Sequence, residues 1–210
     1  MKNLFIVATP IGNLSDITFR AIETLKNAEV IIAEDTRRTK ILLKHYDIEY
    51  ENLVSFHARS TEETAKNIFQ KFKHLQNFVY VSDAGTPGIS DPGYRLIQVA
   101  LAENILLTPI PGPSALVTLI SVAGIPVDKF TFHGFLPHKK GRKTLIESLQ
   151  ETSKTAVFYE SVHRFPRLLT ELEQYLGAER IIVVGRELTK MHEEIFRGTV
   201  SEALQNFTDE

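Results

Sequence analysis

The sequence predicts an α/β protein of two domains, and three observations lead to this fold class. In the first half of the 210 residues, short apolar runs alternate with segments of helical periodicity. A stiff connector, PIPGP at residues 109–113, interrupts the alternation, and strand-like runs are more frequent after it. We therefore expect an N-terminal domain with a parallel sheet at residues 1–112 and a C-terminal domain with a mixed sheet at residues 113–210.

The N-terminal domain is predicted to repeat a strand–helix unit. Its apolar runs predict strands at residues 4–9, 29–34, 53–56, 78–81 and 105–108. The helices between them are predicted to follow Asp16, to cover residues 36–46, to begin at Thr61 and to follow Asp91-Pro92. Because strand and helix alternate strictly, we expect a mostly parallel sheet with helices on both faces.

The C-terminal domain is predicted to begin with a helix that Ser114 starts and Gly124 ends. Four strands are predicted after it, at residues 130–135, 155–160, 180–187 and 194–200. Three further helices are predicted, at residues 141–152, 167–176 and 201–207. Because this half is richer in strands, we expect mixed or antiparallel pairing.

Composition and charge narrow the classes of function. The chain is 43% hydrophobic and 24% charged, with a net charge of −2 and no cysteine. A free-standing nucleic-acid-binding protein is usually more basic, and the lack of cysteine excludes disulfides and thiolate metal sites. No apolar run is long enough to span a membrane, and the one near the N-terminus is too short for a signal peptide. We expect a cytoplasmic protein.

The most informative segment is the loop SDAGTPGISDPG at residues 82–93, called the glycine loop below. Its glycines and prolines indicate a backbone that bends sharply and approaches a partner closely. Loops at the carboxyl ends of parallel strands are where open α/β sheets bind ligands. Two other loops, at residues 9–14 and 34–38, also follow predicted strands, so we expect all three to gather at one edge of the sheet.

Several common sites are absent from the sequence. The loop at residues 9–16 has one glycine, which excludes a dinucleotide-binding fingerprint and a P-loop. There is no HExxH zinc motif, and Ser82 lacks the flanking glycines of a nucleophile elbow. We expect no metal site and a ligand that need not carry phosphate.

Two charged segments each allow two interpretations. In the segment EDTRR at residues 34–38, Asp35 and Arg37 belong either to a ligand site or to a helix cap with a solvated arginine. The segment PHKKGRK at residues 137–143 forms either a solvated loop or a patch that contacts phosphates. The cations of the second segment are Lys139, Lys140, Arg142 and Lys143.

Taken together, the motifs resemble the tetrapyrrole methylase superfamily of S-adenosylmethionine-dependent methyltransferases. The segments that carry the resemblance are TPIGNLSDIT, EDTR, SDAGTPGISDPG, PIPGPSA, GFLPHKKGRK and RELTKMHEE, and it extends from residue 4 to about residue 207. Within the superfamily, they are similar to the branch that methylates the ribose 2′-hydroxyl of a cytidine in small-subunit (16S) ribosomal RNA.

The resemblance implies a homodimer of two-domain chains, with S-adenosylmethionine held in the cleft between the domains and RNA of the small subunit as the partner. By position, the cofactor would contact Pro10, Asp83, Ala84, Gly85, Thr86, Pro87, Ser114, Ala115, Tyr159 and Leu188. The four cations of residues 139–143 would contact RNA. Members of this branch continue beyond the last predicted helix with another apolar strand, which we expect this chain to lack.

Methyl transfer to a ribose hydroxyl needs a group that accepts the hydroxyl proton and a cation that stabilises the developing oxyanion. We hypothesise that Asp35 or Glu193 accepts the proton and that Arg37 or Lys190 stabilises the oxyanion. Two alternatives stay open: a methyltransferase that acts on a corrin or porphyrin, and a non-catalytic protein of the same fold that binds S-adenosylmethionine.

Overall fold

A five-stranded parallel sheet forms the first half of the chain in the computed structural model, which describes residues 1–208. Its strands are β1 (Asn3–Val7), β2 (Val30–Ala33), β3 (Leu53–Ser55), β4 (Asn77–Val81) and β5 (Leu106–Ile110), in the order β3-β2-β4-β1-β5. All neighbouring strands are parallel, with Phe5 of β1 and Ile31 of β2 both paired with Val79 of β4. The predicted parallel sheet is therefore confirmed.

Helices cover both faces of this sheet, because its strands are apolar on both sides. The helices are α1 (Phe19–Lys26), α2 (Thr36–His45), α3 (Glu62–Lys71) and α4 (Gly93–Ala102). Side chains of α3 and α4 pack with Phe78 and Tyr80 of β4 on one face, and side chains of α1 and α2 pack with Val79 and Val81 on the other. The prediction of helices on both faces is confirmed.

Helix starts differ from prediction at two places. Asp16 lies in a short 3₁₀ turn, and α1 is instead capped by Thr18, whose hydroxyl accepts a hydrogen bond from Ala21 N at 3.0 Å. At α4 the cap position belongs to Pro92, and the Asp91 carboxylate accepts a bond from Gly93 N. In both cases the predicted capping residue lies one or two positions too early in the chain.

The second half of the chain contains two separate pairs of strands. They are β6 (Phe130–Phe135) with β7 (Thr155–Tyr159), which are parallel, and β8 (Ile181–Arg186) with β9 (Glu194–Thr199), which are antiparallel. The helices of this half are α5 (Ala115–Ser121), α6 (Arg142–Ser148), α7 (Phe165–Leu176) and α8 (Val200–Thr208). Both orientations occur as predicted, although the strands form two pairs and not one hydrogen-bonded sheet in the described part.

The described residues divide into two compact units, of which the first is Met1–Ala115 and the second begins at Leu116. The boundary predicted after Gly112 falls just inside the first unit. The predicted C-terminal domain also includes residues 209–210, which lie outside the described residues. None of the helices described is both long and apolar enough to cross a membrane.

Candidate active site

Three loops of the first unit meet at the carboxyl edge of the parallel sheet. Thr9 and Gly85 exchange two backbone hydrogen bonds, of 3.0 and 2.9 Å. Asp83 N donates to Glu34 Oε2 at 3.2 Å, and Asp83 Oδ2 lies 3.7 Å from Arg38 Nη1. The loops after β1, β2 and β4 are thus joined directly, as the sequence predicts.

The glycine loop is held by its own aspartate. Gly85, Gly88 and Ser90 have φ angles of 78°, 90° and 65°, in the left-handed region that glycine adopts at little cost. The Asp91 carboxylate accepts hydrogen bonds from Gly88 N at 2.6 Å and Gly93 N at 2.7 Å. Asp91 therefore stabilises the turn, which accounts for the second half of the motif.

Gly85 lies where the glycine loop approaches two neighbouring loops. A Cβ atom at this residue would lie 3.3 Å from Ile11 Cγ2 and 3.6 Å from the Pro113 carbonyl oxygen. Thr86 Oγ1 donates to the same Pro113 oxygen at 3.1 Å. These contacts join the segments that carry the cofactor residues predicted in the first unit, whose role stays a prediction. The residues are Pro10, Asp83, Ala84, Gly85, Thr86, Pro87, Ser114 and Ala115.

The carboxylate of Asp83 has one oxygen atom without a hydrogen-bond partner among the described residues. Its Oδ1 is buried and accepts no hydrogen bond from residues 1–208. A buried carboxylate oxygen without a donor is costly, so a ligand with an N–H or O–H group would be favoured there. S-adenosylmethionine carries an amino group and ribose hydroxyls, and the residues present therefore fit it.

The two remaining predicted cofactor residues belong to the second unit. Tyr159 ends β7, and its ring contacts Phe132 and Phe135 with centroid distances of 5.1 and 5.4 Å. Burial raises the pKa of the Tyr159 hydroxyl. Leu188 follows β8 and packs beside Gly185, where an added Cβ would lie 3.1 Å from Leu188 Cδ2.

Asp35 caps the N-terminus of α2. Its Oδ1 accepts hydrogen bonds from Arg37 N at 2.9 Å and Arg37 Nε at 3.0 Å, and its Oδ2 lies 2.6 Å from Arg37 Nη2. The side-chain hydrogen bond from Arg37 lowers the pKa of Asp35 to about 2. The contacts of Asp35 are therefore those of a helix cap. A carboxyl group this acidic is also a weak proton acceptor.

Lys190 and Glu193 lie in the turn between β8 and β9. Lys190 Nζ is 3.0 Å from Glu187 Oε2, and both side chains are about half exposed. Glu193 Oε2 accepts a hydrogen bond from Thr189 N at 2.6 Å, and Glu193 N donates to the Lys190 carbonyl oxygen at 3.2 Å. The carboxylate of Glu193 thus shapes the turn and stays exposed.

The predicted basic patch contains three exposed cations and one buried arginine. Lys139, Lys140 and Lys143 are exposed, whereas Arg142 is 2% exposed. Gly141 has a φ of 82° and directly precedes α6, so that Arg142 becomes the first residue of the helix and faces the interior.

Two carboxylates, one of them with a buried side chain, explain the position of Arg142. Glu160 Oε2 accepts from Arg142 Nη1 at 2.7 Å, and Glu171 Oε2 accepts from Arg142 Nε at 2.6 Å. Glu160 also pairs with Arg164 at 2.5 Å, and its side chain is 4% exposed. Arg142 therefore belongs to an internal ion network and not to an exposed patch, which a charge pattern in sequence does not distinguish.

Glu34 and Arg38 are two residues of this site that were not among the predicted site residues. Burial raises the pKa of Glu34, and the charges of Asp83 and Asp91 add to this, while the Asp83 N–H opposes it. Arg38 lines a pocket of about 200 Å³ whose walls come from the loop after β1, from α2 and from the glycine loop. In the sequence, Glu34 and Arg38 could have been recognised from their position just after a buried strand, at the sheet edge where the loops gather.

Comparison with known proteins identifies the family of this chain. A family model described as Tetrapyrrole (Corrin/Porphyrin) Methylases matches residues 3–204. The chain belongs to the tetrapyrrole methylase family. Its site, a glycine loop on the carboxyl edge of a parallel sheet, lies within the matched residues.

Within this family, the chain is similar to curated proteins named Ribosomal RNA small subunit methyltransferase I. The relative from Thermotoga maritima is 45% identical over 99% of this chain and 92% of that protein. The relative from Synechocystis is 44% identical over 100% of this chain and 75% of that protein. The relative from Halalkalibacterium halodurans is 48% identical over 96% of this chain and 69% of that protein.

Solved structures of the tetrapyrrole methylase family share the fold. The methyltransferase CobJ superposes with a TM-score of 0.72 at 17% identity, covering 99% of this chain and 90% of that chain. Cobalt precorrin-4 methyltransferase superposes with a TM-score of 0.70 at 16% identity, covering 99% of this chain and 89% of that chain. At these identities the likeness establishes the fold alone.

Proposed function

We propose that the chain is an S-adenosylmethionine-dependent methyltransferase that methylates the ribose 2′-hydroxyl of a cytidine in 16S ribosomal RNA. The observation that carries the proposal is the 45% identity, over 99% of the chain, to a protein named Ribosomal RNA small subunit methyltransferase I. The proposed substrate is the RNA within the small ribosomal subunit. A homodimer and a cytoplasmic location are part of the same proposal.

The residues of the glycine loop support the choice of cofactor. Asp83 offers a buried oxygen that accepts no hydrogen bond from the described residues, and Gly85 and Thr86 tie the loop to its neighbours. Together with Pro10, Ala84, Pro87, Ser114 and Ala115, these residues would hold S-adenosylmethionine, and Tyr159 and Leu188 of the second unit would complete the set. When bound, this group supplies an electrophilic methyl carbon.

The protein's own contribution to the chemistry is to orient the acceptor, exclude water and accept a proton. We propose that Asp35 or Glu193 takes the proton of the ribose hydroxyl, and that Arg37 or Lys190 stabilises the negative charge on its oxygen. Because the pairing with Arg37 makes Asp35 a weak acceptor, Glu193 is the first residue to substitute.

The exposed lysines of residues 139–143 are the proposed contacts to RNA phosphates. Lys139, Lys140 and Lys143 lie on or beside the N-terminus of α6 and point to solvent. Arg142, at the start of the same helix, is held in the interior by Glu160 and Glu171 and is not among the proposed contacts. Phosphate contacts position a protein on RNA without reading its sequence, so the choice of nucleotide must come from another part of the surface.

Methyl transfer to ribosomal subunits tests the proposed function. The protein is incubated with labelled S-adenosylmethionine and small subunits that lack the modification, and the labelled nucleotide is mapped. We expect label at one cytidine, in a linkage that resists alkaline hydrolysis because the 2′-hydroxyl is blocked. Label on a base, or label transferred to a porphyrin but not to subunits, would contradict the proposal.

A further inference from the structure

The pocket beside the glycine loop is lined by both charged and apolar side chains. Arg38 and Asp83 are the charged ones, and the apolar ones are Pro10, Leu14, Ile41 and Leu42, of which Ile41 and Leu42 are called the apolar wall below. We propose that this pocket receives the acceptor nucleotide of the RNA and that Arg38 contacts its phosphate. This inference rests on the proposed function and adds to it the place where the acceptor binds.

Of the two arginines of α2, Arg38 is the one that lines the pocket. Its side chain is 65% exposed, and its ion pair with Asp83 spans 3.7 Å, which is longer than a hydrogen bond. The neighbouring Arg37 already forms two side-chain hydrogen bonds with Asp35. A guanidinium with free N–H groups is suited to bidentate binding of phosphate.

The apolar wall lies on the same face of α2 as Arg38. Ile41 and Leu42 follow Arg38 by three and four residues, the spacing that places side chains side by side on a helix. Ile41 is 66% exposed and lines the pocket together with Leu42. A base or ribose ring in the pocket would cover this side chain.

Size and charge favour the acceptor over the cofactor as occupant. The pocket volume of about 200 Å³ is below the range of about 300–1,000 Å³ that is typical of sites for whole drug-sized ligands, so it suits a single nucleoside unit. Arg38 would attract the phosphate of an RNA nucleotide, whereas the sulfonium of S-adenosylmethionine would lie more favourably beside the Asp83 carboxylate, which also lines the pocket. Enzymes that modify a single nucleotide commonly take it out of its stack and into a pocket.

Asp83 places this pocket next to the proposed cofactor site. It lines the pocket, pairs with Arg38 through Oδ2, and keeps its buried Oδ1 without a partner among the described residues. One carboxylate is therefore shared by the two sites. Transfer of a methyl group requires acceptor and donor to be held side by side in one geometry, and a shared residue meets this requirement.

Substitution of Arg38 tests the inference, with Lys40→Gln as a matched control on the same helix. Lys40 is exposed and does not line the pocket. We expect Arg38→Gln to raise the KM for small subunits by about tenfold, the effect of losing one charge-assisted hydrogen bond. Affinity for S-adenosylhomocysteine, measured by calorimetry without RNA, should stay within about twofold for both variants.

Two further measurements separate a phosphate contact from a structural role. Binding of small subunits without cofactor should depend less on salt in Arg38→Gln, with the slope of log affinity against log salt reduced by about one. Ile41→Glu, which adds a negative charge to the exposed wall, should also raise the KM. Thermal unfolding verifies that both variants are folded.

Three results would overturn the inference. If Arg38→Gln weakens S-adenosylhomocysteine binding as much as subunit binding, the pocket belongs to the cofactor. If Arg38→Gln matches Lys40→Gln in every assay, Arg38 makes no contact with the acceptor. If wild-type protein neither binds nor methylates small subunits, the proposed function and this inference are both refuted. If the wild type is active, a failed prediction for Arg38→Gln contradicts this inference alone.

Discussion

Two adjacent acidic residues at the carboxyl end of β2 have opposite electrostatic surroundings. Glu34 is half-buried and its pKa is raised, first by burial and then by the nearby Asp83 and Asp91 charges. Asp35 is hydrogen-bonded to Arg37, and its pKa is lowered to about 2. At neutral pH the charge of Asp35 is therefore stabilised by its surroundings, whereas the charge of Glu34 is opposed by them.

Substitution of Asp35 separates its capping role from a catalytic one. Asparagine can still accept the capping hydrogen bond, so we expect Asp35→Asn to fold normally and to lose less than about tenfold in turnover. Asp35→Ala should lower the melting temperature, because α2 loses its cap. A loss of about 10²-fold or more in Asp35→Asn, with unchanged affinity for S-adenosylhomocysteine, would instead identify Asp35 as the base.

The pH dependence of unfolding provides a control for this pair. Because the pKa of Asp35 in the folded protein lies below its ordinary value of 3.8, its ion pair stabilises the fold above that value. The contribution should decrease as the pH falls from about 4 to about 2. Asp35→Asn should lack this component of acid unfolding in a urea titration.

At the scale of elements, the start of α4 packs closely against Tyr80 of β4. A Cβ atom on Gly93 would lie 2.7 Å from Tyr80 Cε1 and 2.8 Å from Asp91 Oδ1. Tyr80 is fully buried, and Asp91 holds the glycine loop, so that neither can move without disturbing its neighbours. The packing of a helix therefore fixes the geometry of the binding loop before it.

Gly93→Ala should disturb stability and cofactor binding together. We expect a loss of about 1–3 kcal/mol in the free energy of unfolding, as for overpacked cores, and a weaker affinity for S-adenosylhomocysteine. Gly88→Ala is a useful comparison, because no atom lies within 4 Å of the added Cβ and only backbone strain remains. Wild-type stability of Gly93→Ala would contradict the fit described.

At the scale of the whole molecule, the two units are stabilised differently. The first has apolar side chains on both faces of its sheet, with large clusters around Phe78 and Val79. The second has smaller apolar clusters and a buried ion network that joins α6, α7 and the end of β7 through Arg142, Glu171 and Glu160. In this network the charged groups compensate one another, so that loss of one partner would leave a buried charge unpaired.

Removal of the Arg142 side chain should destabilise the second unit strongly. Arg142→Leu leaves the buried carboxylate of Glu160 without one of its partners, and we expect a loss of about 3–5 kcal/mol in the free energy of unfolding. Lys143→Ala breaks the exposed pair with Glu147 and should cost less than about 1 kcal/mol. Similar losses in the two variants, measured by denaturant titration, would contradict the expectation that the Glu160 charge depends on Arg142 for compensation.

Local patterns were sufficient for much of the fold and part of the site. Apolar runs identified the parallel strands, and the glycine loop was found from its residue types. The start of α1 was placed too early because Asp16 and Thr18 are both good capping residues, and only hydrogen bonding selects between them. Arg142 was grouped with the lysines because a charge pattern does not reveal carboxylates that lie 18 and 29 residues further along the chain.

The sequence by itself determined the alternation of strands and helices, the family, and the loops that gather at the sheet edge, because these depend on residue types at short spacing. Only the tertiary structure decided which charged groups are paired. Arg37 pairs with Asp35 at the surface, Arg142 is buried between Glu160 and Glu171, and Arg38 lies near Asp83 in a pocket. Pairing depends on distances across the fold, which no local pattern contains.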